Sequence, residues 1–314
     1  MTPDKSTGTA IETSGLTKHY PIPRQKTKRI AVNHLTLTVP EGSIYGFLGP
    51  NGAGKTTTIK MLLGFTEPTE GEAWIFGTST LDNDARAVVG YVPEQPYFHR
   101  FLTAQEVVRT HGALAGLTSA ETRKRSDECL TQVEMIDHAS TPLSKLSKGM
   151  VQRIALASAL VGDPKLLILD EPSSGLDPLG RKFLRDLLMQ LRSEGKTIFV
   201  SSHLLTEMES VCDTVGVLAK GVLVATGSPT DIVQVRDTVA VEIAATAPDK
   251  ALADRVAEWG GQLELDDAGV PIRVIVPTDR VYGVLDIIRE HNARLVSVNP
   301  QRESLEDAFV RLVS

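Results

Sequence analysis

Eight residues, Gly49, Pro50, Asn51, Gly52, Ala53, Gly54, Lys55 and Thr56, carry the most specific chemistry in this 314-residue chain. They spell G-x-x-x-x-G-K-T between an apolar run, Ser43–Leu48, and a segment of helical character, Lys55–Leu63. Glycines at this spacing let the backbone wind so that successive N–H groups point inward, and a helix start adds partial positive charge, so the loop and the adjoining Thr57 hold a polyphosphate. Lys55 is placed to neutralise the β and γ phosphates, and Thr56 to offer its hydroxyl to Mg²⁺. A second constellation follows at Leu166–Pro172, where an apolar run ends in Asp170 and Glu171. Two adjacent carboxylates at the end of a buried strand are costly unless a cation or a reactive water uses them. Asp170 is assigned to Mg²⁺, directly or through water, and Glu171 to the general base that polarises an attacking water.

These residues need a scaffold that brings strand ends together. From Val39 to about Gly227 short apolar runs alternate with longer periodic segments, the pattern of a mainly parallel sheet with helices on its faces. The clearest strands are Ser43–Leu48, Leu166–Leu169, Thr197–Ser201 and Thr214–Leu218, with Ile, Leu and Val prominent in the middle two. Pro96–Leu143 reads as mostly helical, interrupted at Gly112 and Gly116. A turn at Ser228 and Pro229 marks a boundary, and a second domain is expected from Thr230. Its expected strands are Val239–Ile243, Gln262–Leu265, Ile272–Val276 and Arg294–Val298, with helices near Asp249–Glu258 and Asp279–His291 and a hairpin turn at Asp266–Gly269. That β, α, β, β, α, β order predicts a ferredoxin-like unit. A closing helix, Ser304–Leu312, has Ser304 and Asp307 spaced close to a capping box.

Composition narrows the function classes. With 33 Lys and Arg against 39 Asp and Glu, a net charge of −6 argues against a nucleic-acid binder, which needs basic surface to neutralise phosphates. The segment from Thr238 to Ser314 carries 13 acidic and 8 basic residues, most of the excess. The first 29 residues lean the other way, with Lys5, Lys18, Arg24, Lys26, Lys28 and Arg29 facing Asp4 and Glu12. Pro21 and Pro23 argue for a solvated loop there, and the charge leaves open contact with an anionic surface or partner. No apolar run approaches the roughly 18 residues needed to cross a bilayer, so a membrane role is expected through a partner. Cys129 and Cys212 stand alone, without a CxxC or a ligand cluster, as inert thiols of a reducing compartment.

The ordered set of motifs resembles the ABC ATPases. Leu146, Ser147, Lys148, Gly149 and Met150, followed by Gln152 and Arg153, look like the signature loop; Ser174, Gly175, Leu176 and Asp177 resemble the D-loop; His203 matches the switch histidine; Tyr20 resembles the aromatic residue that stacks on adenine. The resemblance spans about Thr13–Gly227 and departs from the commonest pattern twice. Lys148 and Met150 stand where Gly and Gln are usual, a variant of the ABC-2 exporter type. In Gly90–Pro96 the glutamine expected after Pro93 is replaced by Glu94, with Gln95 one residue late, and the sequence leaves open which of the two meets Mg²⁺ and the water.

The resemblance implies a P-loop NTPase with a mainly parallel sheet and a helical subdomain at about 96–160, over residues 13–229, after a flexible 1–12. Residues 230–314 form the small α+β ferredoxin-like accessory domain. It further implies Mg-dependent ATP hydrolysis by Lys55, Glu171 and His203, and a head-to-tail pair in which Ser147 and Gly149 of one copy face the γ-phosphate held by the other, with Asp177 coupling the two sites. The second subunit, identical or a paralogue, and a separate integral membrane permease are the implied partners; the chain is expected to be cytoplasmic and peripheral at the inner face of the cell membrane through that permease, with Tyr97, Phe98, Phe101 and Leu102 as the permease-facing groove. Repair and translation members of the class carry a long heptad insertion or a second phosphate loop, and neither occurs in this sequence. A non-transport ABC ATPase, and a regulatory or immunity subunit whose C-terminal domain senses a ligand, are the alternatives.

Overall fold

The computed structural model describes residues 8–21, 28–203, 208–233, 235–244, 250–290, 294–303 and 305–313. The chain forms two compact units, Met1–Ile232 with Arg311–Ser314, and Val233–Val310. In the first, strands β1 (Thr9–Pro21), β2 (Lys28–Pro40), β3 (Ile44–Leu48), β4 (Glu70–Ile75) and β5 (Thr78–Ser79) precede β6 (Val89–Val92), β7 (Leu166–Asp170), β8 (Thr197–Ser202), β9 (Thr214–Ala219) and β10 (Val222–Gly227). The central sheet runs β10-β9-β3-β8-β7-β6, all parallel except the edge strand β10. Every residue of β3, β7 and β8 is buried, which is why these strands read as continuous apolar runs. Their observed limits, and those of β9, fall within one residue of the expected ones. Phe199 on β8 stacks on Tyr45 at 5.7 Å between ring centroids and meets Phe47 at 5.2 Å, locking β8 to β3.

A second sheet, β2-β1-β4-β5, is antiparallel and was not anticipated. It corrects two expectations at once: Thr9–Glu12 belong to β1 instead of a flexible terminus, and the basic N-terminal stretch holds a 13-residue strand instead of a loop. Pro21 does not break this strand: it pairs with Lys28 at the last described position of β1. Pro23 lies outside the described residues. β1 escapes the usual alternation because two of its buried positions are threonines, Thr13 and Thr17. Thr13 Oγ1 donates to Leu35 O at 3.0 Å and accepts from Leu37 N at 3.0 Å, so a polar side chain completes the β1–β2 ladder where the register shifts.

This unit also holds helices α1 (Lys55–Leu62), α2 (Asn83–Ala87), α3 (Ala104–Leu114), α4 (Ser119–Gln132), α5 (Lys148–Leu160) and α6 (Pro178–Ser193), and the short helix Pro229–Ile232 stands where a turn was expected at Ser228 and Pro229. Capping boxes at Thr103/Glu106 and Thr118/Glu121 start α3 and α4, and these hydrogen bonds hold both glutamates below the usual carboxylate range. Gly112 does not interrupt α3, as the sequence suggested; it lies buried inside it. A Cβ there would stand 3.0 Å from Thr122 Cγ2 of α4, so its role is close helix approach. Both cysteines are buried, and burial pushes Cys129 up to about 11 and Cys212 to about 12, away from thiolate chemistry.

In the second unit β11 (Val235–Ala244), β12 (Gln262–Leu265), β13 (Pro271–Pro277) and β14 (Arg294–Arg302) form an antiparallel sheet ordered β12-β13-β11-β14, with helices Lys250–Glu258 and Val281–Glu290. Val239, Val241, Val256, Val274, Val276 and Val284 build its core. The turn at Asp266–Gly269 forms as expected, with Asp266 Oδ1 accepting from Ala268 N and Val270 N at 2.9 and 2.8 Å. The expected start at Asp249, end at His291 and cap at Ser304 lie outside the described residues. Among those described, no helix is long and apolar enough to cross a membrane.

Thr13→Val keeps the shape and removes the hydroxyl, leaving Leu35 O and Leu37 N unpaired; we expect a loss of about 2 kcal/mol. Urea denaturation followed by fluorescence checks this, and an unchanged midpoint would show that the Thr13 hydroxyl adds nothing to the hold of the backbone ladders and apolar contacts on β1.

Candidate functional site

The parallel strands all deliver their C-terminal ends to one edge. β3 leads into the phosphate loop at Gly49, and α1 leaves it at Lys55. Gly54 turns the corner at φ 115, where a Cβ would come within 2.4 Å of Ala31 O, so only glycine fits. Lys55 is buried and folds back over the loop, donating from Nζ to Gly49 O at 2.6 Å. Thr56, Asn51 and Gly52 are exposed; Pro50, Thr57 and Gly54 are half-buried, and Ala53 packs into the core.

β7 ends beside the loop. Asp170, 2% exposed, accepts from Ser201 Oγ at 2.7 Å, which fixes its carboxylate. Its neighbour turns the other way because the backbone leaves the strand: Glu171 has φ 50, left-handed for a non-glycine residue. Its N–H is held by Ser201 O and Oγ at 3.2 and 3.1 Å. The Glu171 carboxylate then lies 3.0 Å from Lys55 Nζ through Oε1, and accepts through Oε2 at 2.6 Å from His203 Nδ1 and at 3.2 Å from His203 N. Three residues from three separate strand ends are thereby joined in one chain of polar contacts, with Glu171 at its centre. Such a buried carboxylate, flanked by a cation and an imidazole, is suited to accept a proton from water.

A cleft of about 650 Å³ opens over this triad. Tyr20 from the end of β1 lines it opposite the phosphate loop, together with Thr56, Thr57, Glu94, Ser174 and Arg29. Of the two residues left open at the Gly90–Pro96 segment, both are exposed, and Glu94 lines the cleft whereas Gln95 does not. Oxygen donors near the loop fit a hard cation: the exposed Thr56 hydroxyl, the Glu94 carboxylate, and Asp170 held behind the wall. No group of three His, Cys, Asp or Glu that would hold a metal unaided occurs among the described residues. Sparse protein oxygens suit Mg²⁺, which takes one or two carboxylates and shares the substrate's phosphates.

Ser147, Gly149 and Asp177 are not brought to this cleft. They line a second one of about 580 Å³, with Lys148, Arg153 and Phe183. Ser147 caps α5 by accepting from Met150 N at 3.3 Å, and Asp177 caps α6 by accepting from Gly180 N at 2.8 Å. Arg153 stacks on Phe183 at 3.7 Å and pairs with Glu134, tying the two helix starts together. At the helical region Tyr97 and Phe101 are 90% and 75% exposed, whereas Phe98 and Leu102 are half-buried, Phe98 against His111. Sequence reasoning missed the supporting role of Ser201, whose signal is its place two residues before His203 at a buried strand end.

The comparisons with known proteins come to the same place. The sequence profile of the ABC transporter family matches residues 32–174. A bacitracin transport ATP-binding protein of Bacillus licheniformis is 36% identical, covering 97% of this chain and 97% of its own length. An uncharacterized ABC transporter ATP-binding protein of a Nostoc species is also 36% identical, over 98% of this chain and 91% of that protein. Among solved structures, an ATP-binding subunit of an ABC transporter is 32% identical with a TM-score of 0.64, covering 71% of this chain and 91% of that one. A cassette determined as a dimer in a post-hydrolysis state with ADP and phosphate is 28% identical with a TM-score of 0.64, over 69% of this chain and 98% of its own. The phosphate loop, the carboxylate pair at the end of β7 and His203 thus stand in the fold of these cassettes, and the chain belongs to the ATP-binding subunits of ABC transporters.

Proposed function

We propose that this chain hydrolyses ATP to power a separate membrane permease, and that the transporter is an exporter of the ABC-2 type. The observation that carries the hydrolytic reading is the Glu171 carboxylate, held between Lys55 of the phosphate loop and His203 on the wall of a nucleotide-sized cleft. Lys55 and the loop N–H groups bind the phosphates, Glu171 takes the proton of the attacking water, and His203 orients Glu171 and meets the γ-phosphate. Mg²⁺, when bound through Thr56, Asp170 and Glu94, would neutralise charge developing on the transferred phosphoryl group. Support for export comes from the relative named for bacitracin transport and from the Lys148/Met150 form of the signature loop.

The second cleft gives Ser147, Gly149 and Asp177 a task only against another subunit, since they do not reach the first cleft of their own chain. We read them as the half-site presented to a second copy or a paralogue. A relative cassette of known structure is dimeric, which supports this reading. The exposed pair Tyr97 and Phe101 is assigned to the permease, with Phe98 and Leu102 packing beneath it. The accessory domain expected over 230–314, whose compact part is Val233–Val310, is read as ferredoxin-like with a structural or dimerising role, and the complex as peripheral at the inner face of the membrane.

Glu171→Gln should bind ATP with near-native affinity while turnover falls by about 10²–10⁴-fold. Purified from detergent-solubilised membranes with ATP, this variant should bring down a polytopic membrane protein; retained turnover would remove Glu171 as the base, and recovery of ribosomes would remove the transport reading. Glu94→Ala should lower turnover and raise the Mg²⁺ requirement, with Gln95→Ala silent in both assays; the reverse result would exchange the two assignments. Tyr97→Asp combined with Phe101→Asp should abolish recovery of the permease with basal hydrolysis retained, and undiminished recovery would move the docking surface elsewhere.

A further inference from the structure

The basic N-terminal stretch has one member inside the nucleotide cleft, Arg29 at the start of β2. Arg29 lines that cleft with Tyr20, and the two are direct cross-strand partners in the β1–β2 ladder. Residues facing each other across an antiparallel pair project to the same side, so ring and guanidinium form one wall. The guanidinium reaches toward the phosphate loop: a Cβ at Gly52 would stand 4.0 Å from Arg29 Nη2.

The charges in the cleft give this position a purpose. Lys55 is engaged by Glu171 Oε1 at 3.0 Å and by Gly49 O at 2.6 Å, and Glu94 adds a further negative charge. Arg29 pairs with no carboxylate among the described residues. It is therefore the cleft's uncommitted cation, carrying a planar fork of donors matched to phosphate oxygens.

We infer that Arg29 is a phosphate-binding residue of the nucleotide site, reaching the phosphates nearest the sugar from the β1–β2 side. The inference rests on reading this cleft as the nucleotide site. Tyr20 supplies the apolar platform, the loop from Gly49 to Thr56 takes the far end of the polyphosphate, and Arg29 closes the gap between them. An arginine that was merely solvated would leave nucleotide affinity untouched, and one that only braced the strand would act on the base and the phosphates alike.

Calorimetric titration of the full-length Glu171→Gln protein with ATP, ADP and adenosine separates these cases. Adding Arg29→Gln should weaken ATP and ADP by about tenfold and leave adenosine unchanged, and the ATP affinity should lose part of its dependence on salt. Arg29→Lys, which keeps the charge but not the fork, should fall between the two. Unchanged ATP affinity in Arg29→Gln, or an equal loss for adenosine, would overturn the inference while leaving the cleft's assignment intact. Failure of the Arg29 parent to bind ATP or ADP would instead overturn the nucleotide reading and the inference with it.

Discussion

A carboxylate taken out of water has to be compensated on the spot, and Glu171 meets that demand with Lys55 on one oxygen and His203 on the other. The rest of the site follows from this requirement. Lys55 has to begin α1, so that the loop before it can bend back onto its side chain, and His203 has to leave β8 within reach of the residue after β7. Removing Lys55 or Glu171 leaves the other as an unpaired buried charge, whereas the imidazole of His203 stays in reach of solvent, so the buried pair depends on each partner more than on the histidine. Their coupling also links the phosphate loop to the histidine without any direct contact between them.

Three strand ends meet at hydrogen-bond distances only if the strands cannot slide. β3, β7 and β8 are neighbours in register, buried on both faces, and the Tyr45–Phe199–Phe47 contacts fasten the middle of the sheet. Ser201 performs the same task at the rim, where one hydroxyl donates to Asp170 and accepts from Glu171 N. Apolar packing thus sets the strand register to the nearest residue, and a short polar network sets the side chains to fractions of an ångström.

Much of this was legible in the sequence for physical reasons that can be named. The phosphate loop demands particular glycines, and strands buried on both faces leave unbroken apolar runs, so β3, β7, β8 and β9 were placed to within a residue. The antiparallel sheet was not legible: β1 buries threonines in place of aliphatic residues and shifts register along its length, which erases the period-2 signal. Gly112 misled for a related cause, since a glycine that admits a neighbouring helix is spelled the same way as one that ends its own. Among the site residues, Lys55, Asp170 and Glu171 came from motif and strand context together. The choice between Glu94 and Gln95 depends on where a short segment turns, and no local rule encodes that. Arg29 was visible only as one basic residue among six, because what distinguishes it is its cross-strand partner.

The left-handed backbone at Glu171 gives the position a second property besides its charge. A side chain with φ near 50 stores about 1–3 kcal/mol that glycine would release. Glycine there would relax the backbone yet leave the buried Lys55 ammonium without its counter-charge, so strain and ion pair bear on stability with opposite signs at one residue.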